Sequence, residues 1–312
     1  MALYLITGGA GFIGSHLADA LIARGDRVRV LNDLSTGKRE NLPPGAELLE
    51  GDVADAALVR RAMRGVAGCF HLAAIASVAR SNEDWLGTHR ANQTGTVAVM
   101  DAARAEGRIP VVYASSAAIY GNPDRMPISE ETAPRPLTAY GADKLGSELH
   151  GQVAWLAHGV PTFGCRFFNV YGPRQDPHSP YSGVISIFAR RVASGEQLTV
   201  NGTGEQVRDF IYVADVVRHL MGGMALLQRE PQAAVINVCT GRATSLMELL
   251  ASLERVCGRM ARRSFGPERP GDIRLSLGDP SHATALLGLK AMTRLDQGLA
   301  ATLGLPGLAL AA

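Results

Sequence analysis

The chain has 312 residues, 46% of them hydrophobic and 19% charged, which is enough to bury a large core and argues against a disordered protein. Because 31 Lys and Arg face 29 Asp and Glu, the formal net charge of +2 is too small to hold nucleic acid or an anionic membrane without a specific site. The four cysteines form no Cys-x-x-Cys pair, and no apolar run reaches the ~18 residues of a membrane span. We therefore expect a cytoplasmic protein without a zinc cluster or a disulfide framework.

The first half of the chain alternates apolar, strand-like runs with segments whose apolar residues recur at helical spacing. The predicted strands are 2–7, 27–31, 47–50, 68–72, 109–114 and 161–168, and the predicted helices are 12–24, 55–64, 85–106 and 138–158. This alternation predicts an α/β fold, a doubly wound parallel sheet of the Rossmann type with helices on both faces. Ligands of such sheets bind at the carboxyl ends of the strands.

The pattern changes after residue 168. Residues 172–183 are rich in proline and polar residues, which predicts an irregular loop. Helices at 184–194 and 245–258, with strands near 198–200 and 210–213, predict a smaller C-terminal α/β lobe, whereas 215–227 and 235–238 are expected to return to the main sheet. The predicted division is a Rossmann domain of residues 1–170, to which 208–240 partly return, and a lobe of 171–207 and 241–312.

A glycine-rich turn joins the first predicted strand to the first helix, from Thr7 to Gly14 (TGGAGFIG). Missing side chains allow the tight turn and let the backbone approach a pyrophosphate, for which the helix N-terminus supplies N–H donors. The strand–turn–helix context predicts a dinucleotide site. Asp33, 19 residues after Gly14, can accept both ribose hydroxyls and repel a 2′-phosphate, which favours NAD over NADP. The nearby Lys38 weakens that preference.

Two further strand ends carry candidate cofactor contacts. Asp52, after the third strand, can bind the adenine edge, although a plain turn explains it nearly as well. Leu72, Ala73 and Ala74, after the fourth strand, place small residues where a nicotinamide ribose can lie. We expect His71 to be a hydrogen-bonded core histidine and not a catalyst.

Tyr140 and Lys144 lie near the start of a predicted helix at positions i and i+4, so both project from one face. A phenol with a pKa near ~10 is a poor base at neutral pH, but an adjacent ammonium and a nicotinamide cation stabilise the phenolate and lower its pKa. Ser116 follows the fifth strand and brings a hydroxyl to the same sheet edge. Since the chain has only three lysines, chance is a poor explanation for Lys144. We predict Tyr140 as the acid–base group.

Together these motifs resemble the extended short-chain dehydrogenase/reductases, and more narrowly the nucleotide-sugar 4-epimerases of the UDP-glucose/UDP-N-acetylglucosamine type. The similarity spans nearly the whole chain, through TGGAGFIGSHL, SSAAIYG, YGADK, RFFNVYGPRQ, GTGEQVRDFIYVADV and RPGDIRLSLGD. The resemblance implies an NAD-dependent isomerase that interconverts the C4 epimers of a UDP-hexose through a transient 4-keto sugar. It implies no metal, and a C-terminal lobe that binds the nucleoside diphosphate.

The resemblance also implies roles for individual residues. Tyr140 would be the base, Lys144 its partner and the anchor of the nicotinamide ribose, and Ser116 the hydroxyl assisting at O4. The implied NAD contacts are Gly8, Gly11, Phe12, Ile13, Gly14, Asp33, Lys38, Asp52, Val53, Leu72, Ala73, Ala74, Asn92, Tyr140, Lys144 and Phe167. The implied substrate contacts are Ser77, Ser116, Asn169, Val184, Arg208, Arg269, Asp272 and Ser276, with Asn169 and the two arginines on the pyrophosphate and Asp272 on the uridine ribose.

Two positions separate the epimerases from neighbouring sugar enzymes. The resembled 4,6-dehydratases and UDP-glucuronate decarboxylases carry acidic residues directly after the strand-end hydroxyl, where this chain has Ala117 and Ala118. Methyl groups cannot abstract protons, so dehydration and decarboxylation are disfavoured. Epimerisation needs only the tyrosine and the cofactor, and is therefore the favoured reaction.

The sugar itself is less tightly predicted. In the resembled family a small residue at the position of Ser276 admits N-acetyl groups, so we expect both UDP-glucose and UDP-N-acetylglucosamine to fit. UDP-glucuronate is an alternative, with Arg274 or Thr244 meeting its carboxylate. A catalytically silent NAD-binding regulator is another, which the retained Tyr140 and Lys144 disfavour.

Helices 85–106 and 138–158 carry apolar and small residues over more than one face. Burial against the sheet explains part of this pattern. The resemblance implies that the two helices pair across a two-fold axis, so we expect a homodimer.

Overall fold

The computed structural model describes residues 1–176, 183–268 and 273–305. The strands are β1 Leu3–Thr7, β2 Arg27–Asn32, β3 Glu47–Glu50, β4 Gly68–His71, β5 Val111–Ser116, β6 Thr162–Phe167, β7 Asn169–Tyr171, β8 Gln197–Asn201, β9 Val207–Arg208, β10 Phe210–Tyr212, β11 Ala233–Val238, β12 Thr244–Ser245 and β13 Arg262–Gly266. The α-helices are α1 Phe12–Ala23, α2 Ala56–Met63, α3 Val78–Glu83, α4 Trp85–His89, α5 Gly95–Ala105, α6 Ala139–His158, α7 Val184–Ser194, α8 Val213–Arg229, α9 Leu246–Cys257, α10 Ser281–Leu287 and α11 Leu295–Thr302.

Seven parallel strands form the main sheet in the order β11-β6-β5-β4-β1-β2-β3. The chain winds outward from β1 in both directions, as the sequence predicts for a doubly wound fold. The order reverses between β1 and β4, and a crevice opens at the carboxyl ends of the strands at such a reversal. Residues 235–238, which the sequence predicts to return to this sheet, lie in β11, which pairs with β6 in register from Ala233 opposite Thr162.

Apolar cores cover both faces of the sheet. Successive strand residues point to opposite faces, so the neighbours Cys69 and Phe70 enter different cores. Phe70 packs with side chains of α1 and α8, and Cys69 packs with those of α2 and α5. Both residues are fully buried. This two-sided burial holds the strand ends, and hence the crevice, in fixed positions.

A smaller group of elements follows β6 and packs around its own core. Side chains of α7, α9 and β8 fill this core, with Leu198, Leu249 and Leu253 buried at its centre. The helix α9 starts with a capping box, in which Ser245 and Glu248 satisfy each other's backbone N–H groups. β13 pairs in parallel with β8 at the edge of this lobe.

Several elements differ from the sequence prediction. The single helix expected over 85–106 consists of α4, a π-helical turn Arg90–Thr94 and α5. The sequence pattern does not predict α3, α10, α11 and β13, because elements of five to eight residues are too short to show a clear period. The proline-rich loop predicted over 172–183 lies partly outside the described residues. Over the ranges that the structure describes, no helix has the length and apolar character of a membrane span.

Candidate active site

The glycine-rich turn lies between β1 and α1 and packs directly on the chain after β4. Gly8 has φ of +73°, and a Cβ there would come within 2.7 Å of the backbone N of Ala73. A Cβ on Gly14 would come within 2.4 Å of the carbonyl O of Gly8. Glycine is therefore required at both positions by backbone contact, and at Gly8 by its positive φ as well.

The N-terminus of α1 is left open towards the crevice. Its N-cap is Gly11, so no side chain caps the helix, and no acidic residue occupies the first turn. The N–H groups and the positive dipole end of a 12-residue helix thus remain able to bind an anion. The arrangement fits the pyrophosphate of a dinucleotide.

A crevice of about 300 Å³ runs from this turn to the start of α6. It is lined by 14 of the residues predicted to contact the cofactor: Gly8, Gly11, Phe12, Ile13, Gly14, Asp33, Asp52, Val53, Leu72, Ala73, Ala74, Tyr140, Lys144 and Phe167. Its walls are backbone and small or apolar side chains, with polar groups at the two ends, which fits an NAD molecule.

The ribose end of the crevice carries Asp33 on an exposed turn after β2. One carboxylate oxygen of Asp33 accepts from the backbone N–H and the hydroxyl of Ser35, at 3.0 and 2.8 Å. The other carboxylate oxygen has no hydrogen-bond partner among the described residues. It is therefore able to accept a hydrogen bond from a ribose hydroxyl. Lys38 lies outside the crevice and lines a separate cavity with Arg174 and Arg190.

His71 is a core residue, as predicted. Thr7 Oγ1 is 2.7 Å from Nδ1 and Thr96 Oγ1 is 3.1 Å from Nε2. Thr96 itself donates to the carbonyl O of Asn92 at 2.6 Å, so Nε2 carries the proton and Nδ1 accepts from Thr7. Burial and, to a smaller extent, the charge of Lys144 lower the pKa of His71 to about 3. The ring is therefore a neutral core group that supports Thr7 and Thr96 and does not itself line the crevice.

Asn92 acts on the crevice through the backbone. Its amide oxygen accepts from the N–H of Ile75 at 2.8 Å, and its amide nitrogen donates to the carbonyl of the same residue at 3.2 Å. Asn92 is buried and does not line the crevice itself, whereas Ile75 does. It thus fixes the loop that follows β4.

The candidate catalytic residues meet where β5 ends and α6 begins. Thr138 caps α6 by accepting from the N–H of Gly141 at 3.0 Å, which sets Tyr140 in the first turn. The Ser116 hydroxyl lies close enough to the Tyr140 phenol to lower its pKa. Lys144, one turn later and buried, donates to the carbonyl O of Ala114 at 2.9 Å. Its Nζ lies 5.8 Å from the centre of the Tyr140 ring.

The charge state of this pair differs from the sequence-based expectation. Burial raises the pKa of Tyr140 above its ordinary value, and the hydrogen bond with Ser116 lowers it only in part. Burial lowers the pKa of Lys144 to about 8, against the opposing charge of Asp143. The chain's own groups therefore do not lower the phenol pKa as expected. The other contribution in that expectation is the positive nicotinamide ring.

A second pocket, of about 210 Å³, opens on the other side of Tyr140. Four residues predicted to bind substrate line it: Ser116, Asn169, Arg208 and Ser276. Tyr140 and Phe167 line both this pocket and the cofactor crevice. We call this space the sugar pocket, because it borders the cofactor crevice at Tyr140 and Phe167.

A third cavity, of about 430 Å³, continues from the sugar pocket into the C-terminal lobe. Asn169 and Arg208 line both cavities, and Val184 lines the third with the apolar Ile187 and Leu246. Arg208 donates to the carbonyl O of Ile273 at 2.6 Å. A planar guanidinium and an amide at the junction suit a diphosphate, and the apolar walls beyond suit a nucleoside.

The remaining predicted substrate residues lie elsewhere. Ser77 is the N-cap of α3, where its hydroxyl accepts from the N–H of Arg80 at 3.1 Å, and its neighbour Val78 lines the sugar pocket instead. Arg269 and Asp272 lie outside the described residues. The exposed Arg274 does not line the sugar pocket, nor does Thr244.

Sequence reasoning missed a buried ion pair behind the site. Arg166 on β6 forms a two-point contact with Glu148 on α6, at 2.9 and 2.7 Å, and both side chains are less than a tenth exposed. The signal available was a glutamate one turn after Lys144 and an arginine within an otherwise apolar strand. Charged residues are seldom buried unless they are paired.

Comparisons with known proteins agree with this geometry. The model of the NAD dependent epimerase/dehydratase family matches residues 4–239. A UDP-glucose 4-epimerase of Mycolicibacterium smegmatis is 36% identical over 307 residues, 96% of this chain and 96% of that protein. The crystal structure of a UDP-glucose 4-epimerase with UDP-glucose from Thermotoga maritima has a TM-score of 0.92 at 35% identity, covering 97% of both chains. A UDP-N-acetylglucosamine 4-epimerase from Methanobrevibacter ruminantium M1, in complex with UDP-N-acetylmuramic acid, has a TM-score of 0.91 at 32% identity and covers 97% of both chains.

Fold and site define the class as a dinucleotide-dependent enzyme of the extended short-chain dehydrogenase/reductase type. The chain belongs to the NAD-dependent epimerase/dehydratase family. Within it, the chain is an NAD-dependent epimerase, an isomerase that uses NAD as its cofactor.

Proposed function

We propose that the enzyme interconverts the C4 epimers of UDP-hexoses, UDP-glucose with UDP-galactose and UDP-N-acetylglucosamine with UDP-N-acetylgalactosamine. The observation that carries the proposal is the position of Tyr140, which lines both the cofactor crevice and the sugar pocket. One phenol can therefore exchange a proton with a sugar whose C4 faces the nicotinamide. The UDP-sugar 4-epimerases among its relatives support the same substrate class.

In the proposed reaction Tyr140 takes the proton from the sugar O4, while Ser116 hydrogen-bonds that oxygen and shares the developing charge. A bound NAD⁺ would supply the hydride acceptor for the sugar C4 and the hydride donor for the return step. Lys144 holds the nicotinamide ribose and keeps a positive charge near the phenol. Asn169, Arg208 and Arg269 bind the diphosphate while the 4-keto sugar turns over, so that the returning hydride reaches the other face.

The lining of the sugar pocket supports epimerisation over proton abstraction at C5. Ala117 and Ala118 line it directly after Ser116, so the turn contributes methyl groups and no carboxylate. Ser276 is small and nearly buried at the wall, which leaves space for an N-acetyl group. Arg208 is the one cation in the described lining of the sugar pocket, and in the proposed reaction it binds the diphosphate. This leaves no cation in that lining for a sugar carboxylate. UDP-glucuronate is thus the less supported substrate.

We also propose that the protein is a homodimer. The outer faces of α4 and α6 expose large apolar side chains, with Trp85 69%, Leu86 85% and Leu156 72% exposed. Large apolar side chains left exposed on neighbouring helices favour an interaction site. Pairing of these helices with a second copy would bury that surface. A monomer by light scattering at micromolar concentration would contradict the proposal.

The test of the function is an NMR time course with UDP-galactose, UDP-N-acetylglucosamine and UDP-glucuronate offered separately. We expect C4 epimers from the first two, and the Tyr140→Phe variant should lose about 10²- to 10⁴-fold in rate while it still binds NAD. Ser276→Tyr should lose turnover of the N-acetylated sugar only. Equal rates for Ser276→Tyr and wild type on that sugar would remove the case for N-acetyl acceptance.

A further inference from the structure

We propose that Glu148 and Arg166 are positioning residues of the epimerisation: their buried ion pair sets the register of α6 against β5, and so the placement of Tyr140 and Lys144. This inference rests on the proposed function. Neither residue lines the crevice or the sugar pocket, so both act through the residues that do.

Three successive residues of β5 contact three residues of α6 that lie one turn apart. The Ser116 hydroxyl lies beside the Tyr140 phenol and lowers its pKa, the Ala114 carbonyl accepts from Lys144, and the Ser115 hydroxyl donates to Glu148 at 2.5 Å. Helix positions i, i+4 and i+8 lie along one face, and only one register satisfies all three contacts. Of the three α6 residues, Glu148 alone has a role in neither proton transfer nor binding.

The ion pair fixes the third of these contacts. Arg166 lies directly opposite Ser115 in the β5–β6 register, so both reach the same carboxylate from adjacent strands. Its Nε and Nη2 donate to the two oxygens of Glu148, which resists rotation as well as displacement. Burial lowers the pKa of Arg166, but Glu148 raises it above its usual range overall. The Arg166 guanidinium therefore stays charged.

The same guanidinium also holds the turn that carries the Ser116 hydroxyl. Ser116 caps the 3₁₀ turn Ala117–Tyr120, and Arg166 Nη1 donates to the Tyr120 hydroxyl at 2.7 Å. Tyr120 in turn donates to Asn237 Oδ1 at 2.7 Å, on β11. Arg166 thus contacts both the helix that carries Tyr140, through Glu148, and the turn that Ser116 caps, through Tyr120. A shift of about 1 Å between reacting groups can cost about 100-fold in rate.

The test compares Arg166→Lys, which keeps the charge but cannot form the two-point contact, with Asp215→Asn as control. Asp215 is also a buried acceptor, bonded to the backbone N–H groups of Met292 and Thr293, and it lines none of the three cavities. Both variants should lower the melting temperature. Only Arg166→Lys should lower kcat, by about 10- to 100-fold, with KM for the UDP-sugar and NAD binding little changed.

A second readout does not depend on turnover. In protein with carbon-13-labelled tyrosine, the Tyr140 resonance, assigned with Tyr140→Phe, should move in chemical shift and in pKa in Arg166→Lys and stay unchanged in Asp215→Asn. If Arg166→Lys does not fold, Ser115→Ala, which removes one hydroxyl contact to Glu148, serves in the same two measurements. An unchanged kcat together with an unchanged Tyr140 resonance overturns the positioning role. If the wild type is inactive on UDP-sugars but the Tyr140 resonance is displaced in Arg166→Lys, the proposed function is contradicted and the positioning role is supported.

Discussion

The cofactor crevice and the substrate cavities are built in different ways. Backbone and small side chains form the crevice, most of them from strand ends that follow one another along the chain. The substrate cavities have apolar walls, and their polar side chains, among them Asn169 of β7, Arg208 of β9 and Ser276, come together only in the folded protein. The crevice should therefore be sensitive to added atoms, and the substrate cavities to lost charge and hydrogen bonds.

The largest expected effect is that of Gly8→Ala on the crevice. The new Cβ would lie 2.7 Å from Ala73 N and force a positive φ of 73° on alanine. Strain and overpacking together should cost about 2–5 kcal/mol in free energy of unfolding, and NAD binding should be lost. Urea unfolding and NAD titration measure both. Gly25→Ala is the matched control, because Gly25 has φ of +89° but nothing within 4 Å, so it carries the strain without the clash.

Arg208→Gln tests the substrate cavities, where the expected effect comes from a lost charge and not from added atoms. The glutamine is no larger, but it removes the charge at the junction of the two substrate cavities. Loss of charge-assisted hydrogen bonds worth about 1.5–3 kcal/mol should weaken UDP binding by about 10- to 150-fold. Calorimetry with UDP and with NAD separates the two sites. Equal weakening of NAD binding would mean that the two regions are not independent, and Arg274→Gln, an exposed change outside the sugar pocket, is the control.

The two regions meet at Tyr140, and a pH effect is expected from its neighbour Lys144, which lines the crevice. Its pKa is lowered by burial to about 8, so the ammonium is lost as pH rises through about 8. Above that value kcat/KM should fall by up to about tenfold per pH unit. In the unfolded chain the lysine binds its proton up to about pH 10.4, so the free energy of unfolding should rise between these two values.

Lys144→Met separates the two parts of this prediction. The methionine carries no proton, so the rise in unfolding free energy above pH 8 should disappear, along with most of the activity. An alkaline limb of kcat/KM that begins well above pH 9 in wild type would show that bound ligands restore the lysine pKa.

How far the sequence predicts each region follows from the same contrast. The crevice is predictable because Gly8, Gly14 and Asp33 act through conformation and strand position, which a local pattern carries. The pairing of Arg166 with Glu148 depends on the register between β5 and β6, which no local pattern carries. Asn169 and Arg208 could be assigned only through the family resemblance, and Lys38 was assigned to the crevice by proximity in sequence but lies outside it.

The smallest effect is expected for Ser77, where a helix cap and a sugar contact predict different results. The resemblance implies a sugar contact, whereas the structure places its hydroxyl on the N–H of Arg80 as the cap of α3. As a cap alone, Ser77→Ala should cost about 1 kcal/mol in free energy of unfolding and leave kcat/KM within about twofold, and Ser77→Asp should restore the stability. A sugar contact predicts instead that both variants lose about tenfold in kcat/KM, because aspartate caps the helix but cannot donate a hydrogen bond to the sugar. Urea unfolding and initial rates on the same three proteins distinguish the two roles.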